Sequence, residues 1–161
     1  MIEADLWPRK AIPTDQDLED ILELLRQLKS NAQEQLPSKD DLASRLDCIA
    51  QDSNTALLVL RDSDRSNHIV GMGTLHFWCT LGEGAKGYID DVVVLDMYRG
   101  LGLGSQVTAT LVAVTKDTDL VKIRLTSNKG NPERTAAINL YQKLGFREAH
   151  TTLWELTISK E

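Results

Sequence analysis

Three glycines at alternate positions, Gly100, Gly102 and Gly104, separate an apolar strand-like run from a helical repeat. Each glycine in an ordered segment costs conformational entropy, so the cluster indicates a turn that needs unusual backbone angles or a close approach by another group. A helix that begins at these glycines presents unbonded N–H groups and the positive end of its dipole, and Arg99 adds a positive charge. The segment from Arg99 to Ser105 is therefore predicted to bind a phosphate or pyrophosphate.

Two nucleotide-binding motifs fit this cluster poorly. A P-loop requires a lysine directly after its last glycine, and no lysine follows Gly104. A dinucleotide-binding fingerprint requires a glycine where Ser105 stands, and an acidic residue at the end of the next strand, where Thr126 and Ser127 stand. A turn that only packs a helix against a strand is the other alternative, although such a turn needs one glycine rather than three.

The remaining pattern predicts one α/β (α+β) domain over residues 1–161. Thr14, Ser38 and Asn131 are predicted to cap helices, and Gly82 to Gly87 is predicted as a turn. Antiparallel hairpins come first and one parallel crossover lies in the centre, which predicts a mixed, mostly antiparallel central sheet flanked by helices. The predicted strands are 7–12, 55–61, 68–78, 88–95 and 121–126, with a final strand that carries Thr152, Trp154, Leu156 and Ile158; the predicted helices are 14–30, 38–51, 103–114 and 131–144.

Composition argues against several classes of protein. Lys and Arg number 18 against 24 Asp and Glu, so the net charge of -6 disfavours nucleic acid and polybasic membrane binding and suits an amine partner. No apolar run approaches the ~20 residues of a membrane span, and no signal peptide is expected. The cysteines, Cys48 and Cys79, are expected to be buried and reduced, and no residue spacing predicts a metal site. A cytoplasmic protein is therefore expected.

Three segments of the sequence resemble the GNAT superfamily of N-acetyltransferases. Residues 99–104 (RGLGLG) match the [QR]xxGx[GA] loop that binds the acyl-CoA pyrophosphate, and residues 89–94 (IDDVVV) are similar to the family's Ile-Glu-Asp-Val-Val-Val strand. Residues 131–146 (NPERTAAINLYQKLGF) are similar to the family's helix with the ending LYxKLGF. The strong resemblance covers residues 88–146, and the flanking segments agree only in the order of their elements.

This resemblance implies a GNAT-like acyl-CoA N-acyltransferase fold and acetyl transfer from acetyl-CoA, as cosubstrate, to a primary amine of a small molecule or peptide. It implies that the strand backbone binds pantetheine, with the N–H of Val93 polarising the thioester carbonyl, and that the glycine segment binds pyrophosphate. Asn131 either contacts the cofactor or only caps its helix, and the register of residues 127–131 is open. The residues expected to bind the cofactor are Val92, Val93, Val94, Arg99, Gly100, Leu101, Gly102, Leu103, Gly104, Ser105, Asn131, Arg134, Tyr141 and Lys143.

Two residues are the candidates for proton transfer. Tyr141 occupies the position of the family's general acid, and its alternative role is that of a core aromatic residue on a helix. Asp90 occupies the position where relatives often have Glu, so it is the candidate base, directly or through water, and its alternative role is structural. Strict strand alternation predicts that Asp91 points to the opposite face of the sheet.

The acceptor side is less constrained by the sequence. His76, Trp78 and Trp154 are predicted either to line an amine channel, where an aromatic face can bind a cation, or to belong to the core. A non-catalytic module that binds acyl-CoA and regulates another process is the alternative function. A homodimer is consistent with the resemblance, which does not specify the acceptor amine.

Overall fold

The computed structural model describes residues 1–7, 12–28, 35–128 and 131–152 of the chain, and there it contains a five-stranded sheet with helices on both faces. Short 3₁₀ turns cover Asp96–Tyr98 and Pro132–Arg134. In chain order the elements are β1 (Ile2–Leu6), α1 (Asp15–Leu28), α2 (Lys39–Gln51), β2 (Thr55–Asp62), β3 (His68–Thr80), β4 (Gly84–Val94), α3 (Leu103–Ala113), β5 (Lys122–Leu125) and α4 (Thr135–Lys143).

The sheet has the strand order β1-β2-β3-β4-β5, so each strand pairs with its neighbours in the sequence. The first four strands pair antiparallel, and β5 pairs parallel to β4 after the crossover through α3. The predicted mixed, mostly antiparallel sheet with one parallel crossover is therefore confirmed.

Two of the helix caps follow the sequence closely. The hydroxyl of Thr14 accepts a hydrogen bond from the Asp17 amide at 3.1 Å, and the Asp17 carboxylate accepts one from the Thr14 amide at 2.9 Å. This reciprocal arrangement satisfies two backbone donors at the start of α1. The hydroxyl of Ser38 accepts from the Asp41 amide at 3.1 Å and caps α2 as predicted.

Four predicted features differ from the structure. The first strand is β1, which ends at Leu6, and residues 8–11 of the predicted strand lie outside the described residues. A turn joins β3 to β4 as predicted, but it ends before Gly87, because β4 already begins at Gly84, which has a φ angle of +80°. Cys48 and Cys79 are exposed rather than buried.

The fourth difference concerns α4 and the segment after it. The predicted helix start at Asn131 is a 3₁₀ turn, and α4 itself begins at Thr135 with Arg134 as its N-cap residue. Residues 146–152 form no strand, and residues 153–161, which carry most of the predicted final strand, are outside the described chain. No described helix is long and apolar enough to cross a membrane.

The two faces of the sheet carry separate apolar clusters. Helices α1 and α2 cover one face, and α3 covers the other. Gly73 on β3 allows α3 to lie close, because a Cβ at this position would approach Cγ1 of Val107 to 2.7 Å. The lack of a side chain at Gly73 therefore positions α3 against β3 and β4, next to the residues described below.

Candidate active site

The central feature of the site is the point where β4 and β5 separate. The two strands pair from Lys86 and Lys122 to Ile89 and Leu125, but β4 continues for five more residues. Within the described chain, no strand pairs with residues 90–94 on the β5 side. We call this opening the β4–β5 cleft. It leaves strand N–H and C=O groups available to an extended ligand.

The hydrogen-bond ladder decides which groups face the cleft. The carbonyl oxygen of Val93 lies 3.3 Å from the position of a Cβ on Gly71, so it points toward β3. The Leu95 amide also bonds toward β3, to the Val70 carbonyl at 3.0 Å, and antiparallel ladders alternate. The expectation that the Val93 N–H polarises a ligand in the cleft is therefore wrong. Val92 and Val94 present their N–H and C=O groups there instead.

A β-bulge lies at the start of the unpaired part of β4. Met72 pairs with Val93 and Thr74 pairs with Asp90, so two residues of β4 lie opposite Gly73 alone. Asp91, the extra residue, has φ +52°, a left-handed conformation that Asp tolerates better than most side chains. The prediction that Asp91 points to the opposite face rests on strict alternation, which the bulge breaks at this residue.

The two neighbouring carboxylates have different environments. Asp90 is exposed, and its Oδ1 accepts a hydrogen bond from the Asp91 amide at 3.0 Å. Asp91 is half-buried, and burial raises the pKa of its carboxyl; the charge of Asp90 acts in the same direction and His76 opposes it. A carboxyl whose ionised form is disfavoured is a proton acceptor with more driving force than an ordinary aspartate.

We expect Asp91→Asn to raise the melting temperature at neutral pH. Asn tolerates the positive φ, and the amide removes the buried charge and its repulsion from Asp90. Because the folded-state pKa is raised, ionised Asp91 destabilises the fold at high pH, and protonation removes that cost as pH falls. The increase in melting temperature that Asp91→Asn causes, measured by thermal unfolding, should therefore become smaller as the pH falls from 8 to 4. An equal gain at all pH values would contradict this account.

The glycine loop, residues 99–105, connects the 3₁₀ turn after β4 to α3. Gly100 and Gly102 have φ angles of +80° and +79°, and nothing lies within 4 Å of where their Cβ atoms would be. Gly102 is the N-cap of α3 and makes no side-chain cap. Within the described chain, no acceptor bonds the N–H groups of residues 101–105. These donors and the helix dipole form an anion-binding arrangement.

The third glycine and Arg99 have other contacts. A Cβ on Gly104 would lie 3.1 Å from Cδ1 of Leu140, so this glycine allows α3 and α4 to pack closely. Packing, the alternative considered for the cluster, thus explains one of its three glycines. The exposed Arg99 pairs with Asp96 at 2.7 Å, and an anion bound there would share its guanidinium.

The loop is held from both sides of the sheet. The Tyr98 hydroxyl donates a buried hydrogen bond to Asp62 Oδ2 at 2.7 Å, which lowers the pKa of Asp62 and raises that of Tyr98. The Asp96 amide donates to the side-chain oxygen of Gln27 on α1 at 2.8 Å. Leu103, only 8% exposed, anchors the first turn of α3 in the core. These contacts fix the direction of the free amides.

Tyr141 lies on the half-buried face of α4. Its ring packs edge-on against Phe146 with 6.1 Å between ring centroids. Burial raises the pKa of the Tyr141 phenol, the positive charge of Arg134 opposes this, and the charge of Asp90 reinforces it. The phenol is therefore protonated at neutral pH and lies near enough to Asp90 to sense its charge.

The other predicted cofactor contacts are placed around α4. One guanidinium nitrogen of Arg134 donates to the Leu28 carbonyl at the end of α1, so Arg134 links these helices. The carbonyl of Asn131 accepts from the Arg134 amide at 2.9 Å, which forms the turn before α4. Lys143 is exposed in the last turn of α4. Their contacts with a cofactor stay a prediction.

The acceptor-side residues lie on the sheet face that α1 and α2 cover. His76 is half-buried, and Trp78 is 37% exposed with its ring 6.3 Å from that of Tyr88, so Trp78 is not a core residue. Trp154 lies outside the described residues. Two pockets of about 230 and 390 Å³ flank Phe77, and neither is lined by the glycine loop, Asp90 or Tyr141.

Sequence reasoning missed three features of this site. Gly73 was not singled out, although a glycine inside a strand often marks a bulge or a close approach. Thr74 pairs with Asp90 and is 3% exposed, and its hydroxyl has no hydrogen-bond partner among the described residues. The contact of Thr55 with His76 was also missed, because it joins residues 21 positions apart.

Comparison with known proteins gives matches along most of the chain. The sequence profile of the Acetyltransferase (GNAT) family matches residues 18–146. A glucosamine 6-phosphate N-acetyltransferase of Trypanosoma brucei brucei is 37% identical over 68 residues, 42% of this chain and 42% of that protein. A thialysine N-epsilon-acetyltransferase of Mus musculus is 29% identical over 80 residues, 50% of this chain and 45% of that protein. The matched segments therefore span less than half the length of these relatives.

The fold agrees with that of a solved acetyltransferase. The crystal structure of a Trypanosoma brucei acetyltransferase superposes with a TM-score of 0.75, covers 98% of this chain and 100% of that chain, and is 28% identical in sequence. The matched region of the family profile includes the glycine loop, the β4–β5 cleft, Asp90 and Tyr141. The chain is accordingly a member of the Acetyltransferase (GNAT) family.

Proposed function

We propose that this protein is an acetyl-CoA-dependent N-acetyltransferase that transfers the acetyl group directly to a primary amine of a small molecule or peptide. The family match supports acetyl transfer. The observation that carries the proposal is the unpaired half of β4, because its free backbone groups adjoin Asp90 and Asp91. A strand edge next to a proton acceptor suits a ligand that is extended and reacts at one end.

The cofactor-binding groups fit acetyl-CoA chemically. The C=O of Val92 and the N–H and C=O of Val94 suit the amides of the pantetheine arm, and the free amides of the glycine loop suit its pyrophosphate. Arg99 and Lys143 add positive charge at the loop and at the end of α4. When bound, acetyl-CoA supplies an acetyl group activated as a thioester.

Each residue of the proposed mechanism acts on a named atom. Asp90 and Asp91 attract the acceptor ammonium and take up the proton that it must lose before attack. The Val92 N–H, which faces the cleft beside the bulge, polarises the thioester carbonyl oxygen. Tyr141 donates its phenolic proton to the departing sulfur. The amine attacks directly, since the exposed Cys48 and Cys79 lie outside the β4–β5 cleft and the glycine loop.

The charges around the site favour an acceptor that carries an anionic group as well as an amine. Lys86, Lys122 and Arg124 surround the carboxylate of Glu83, so this part of the sheet has an excess of positive charge. Lys86 lies four residues before Asp90 on the same strand face, about 13 Å away in a strand. The relatives named for glucosamine 6-phosphate and thialysine act on amines of this kind.

An acetyl-CoA assay with a panel of amines tests this function. We expect release of free thiol with at least one primary amine, and faster release with glucosamine 6-phosphate or thialysine than with glucosamine or a simple diamine. Mass spectrometry should find one acetyl group on the acceptor nitrogen. Calorimetry with acetyl-CoA in the same buffer measures cofactor binding separately from turnover.

The alternative is a non-catalytic module that binds acyl-CoA. It predicts calorimetric binding of acetyl-CoA with no thiol release for any amine. Failure of acetyl-CoA to bind would contradict both functions.

A further inference from the structure

We propose that His76 accepts the proton that the substrate amine loses and passes it to solvent. Thr55 and Asp52 hold the His76 ring in the tautomer that this proton transfer requires. The inference rests on the proposed function, since it concerns the amine that reacts there. Asp52 precedes β2, Thr55 begins β2, and His76 lies opposite Thr55 on β3.

Hydrogen bonding determines the tautomer of His76. The Thr55 hydroxyl lies 2.6 Å from Asp52 Oδ2 and 3.1 Å from Nδ1 of His76. An ionised carboxylate only accepts, so the single hydroxyl proton goes to Asp52, and Thr55 accepts from the Nδ1–H of His76. The neutral ring therefore carries its lone pair on Nε2. The Asn54 amide donates to Asp52 Oδ1 at 2.9 Å and fixes the carboxylate.

The register places His76 beside the carboxylates of β4. His76 pairs with Tyr88, and Thr74 pairs with Asp90, so His76 and Asp90 are diagonal neighbours on one face of the sheet. Such neighbours have Cβ atoms roughly 7 Å apart, a gap that one water can bridge between the side chains. The two nitrogens of an imidazole ring point in different directions. Because Nδ1 is hydrogen-bonded to Thr55 on β2, Nε2 is directed away from β2.

Acidic side chains lie on both sides of His76. Asp90 and Asp91 lie on the β4 side, Asp52 is linked to the ring through the Thr55 hydroxyl on the β2 side, and Tyr88 is the cross-strand partner of His76. His76 lies close enough to Asp91 for its charge to lower the pKa of that carboxyl, against the larger effects of burial and Asp90. A cation on His76 thus has three carboxylates near it.

The overall reaction releases one proton, and the relay carries that proton out of the site. The acceptor nitrogen enters as R–NH₃⁺ and leaves as an amide N–H, so it loses two protons as the C–N bond forms and the C–S bond breaks. One proton leaves before attack, through Asp90 or Asp91 to Nε2 of His76 and then to solvent. Tyr141 protonates the sulfur, and the second nitrogen proton returns the phenol to its starting state. The products are the N-acetyl compound, the free thiol and one proton.

The first test replaces His76 by Asn, whose amide keeps a donor near the Nδ1 position but has no Nε2. We expect kcat to fall roughly 10- to 100-fold, within the range for lost acid–base catalysis, with the acetyl-CoA dissociation constant unchanged. The matched control is His68→Asn, because His68 contacts Asp20 with its Nδ1 at the other end of the same strand. This control should keep the kcat of the unmodified protein.

The second test separates proton acceptance from a structural role. Adding imidazole to His76→Gly should restore turnover in proportion to the free-base concentration, which lost packing alone would not do. Thr55→Val should lower kcat, and Thr55→Ser, which keeps the hydroxyl, should retain more of it. Nitrogen NMR shifts of His76 should report the Nδ1–H tautomer in the unmodified protein and its loss in Thr55→Val.

Three results would overturn the relay. These are a kcat for His76→Asn within twofold of the unmodified value from pH 6 to 9, no rescue by imidazole, or an Nε2–H tautomer. The absence of thiol release by the unmodified protein with every amine would instead refute the proposed function. Because the NMR measurement needs no substrate, the tautomer remains testable in that case.

Discussion

Tyr141→Phe is expected to reduce kcat by about 100-fold or more while leaving acetyl-CoA affinity within a few-fold, because only the departing sulfur uses the phenolic proton. The phenylalanine ring keeps the edge-on contact with Phe146, so the packing of α4 changes little. Thiol-release kinetics and calorimetry on the same preparation separate these two quantities.

The pH profile adds an independent check on Tyr141. A general acid must be protonated, and burial raises the pKa of this phenol while Arg134 opposes the rise. The alkaline loss of activity that Tyr141 causes should therefore lie above the range of an ordinary tyrosine and be absent in Tyr141→Phe. Unchanged turnover in this variant with a competent amine would show that another group protonates the sulfur.

Gly102→Val should weaken acetyl-CoA binding at least tenfold. Gly102 has φ +79°, where an L-residue costs about 1–2 kcal/mol and a β-branched residue more, so the loop must change its backbone angles. Such a change redirects the free amides at the start of α3 from the pyrophosphate position. Calorimetry with coenzyme A measures the loss without any requirement for turnover.

Gly102→Asn is the matched control for this variant. Asn adopts left-handed angles more readily than Val, and open space surrounds the Gly102 position, so Asn should retain most of the affinity. If the two variants lose affinity equally, the cause is the size of the new side chain next to the ligand and not the backbone angle at residue 102. Similar affinities for both variants and the unmodified protein would contradict the anion-binding role of the loop.

Local sequence signals predicted much of the fold and of the glycine loop. The caps at Thr14 and Ser38 depend on residues three positions apart, so the sequence alone is enough to find them. The positive φ angles of Gly100 and Gly102 follow from the same reasoning, since few other residues adopt them readily. The start of β4 was missed because residues 84–87 include two glycines, and their strand pairing depends on the partner strand β3.

The geometry of the cleft could not be predicted from the sequence either, because it too depends on strand pairing between distant residues. The IDDVVV segment marks a strand, but the bulge at Asp91 arises from a register shift opposite Gly73, 18 positions earlier. That shift determines whether Val92 or Val93 faces the cleft. The contact of Thr55 with His76 likewise exists only once β2 and β3 are paired.

The separation of β4 from β5 also affects how this sheet avoids self-association. Exposed strand edges attract other strands and promote aggregation. At the β1 edge the strand is only five residues long, and its exposed Glu3 and Asp5 discourage such pairing. The unpaired edge of β4 lies inside the sheet instead, between β3 and the diverging β5, with α3 packed on the same strand. Because β3 and β5 lie on either side of this edge, a second protein strand reaches it less easily than it reaches β1.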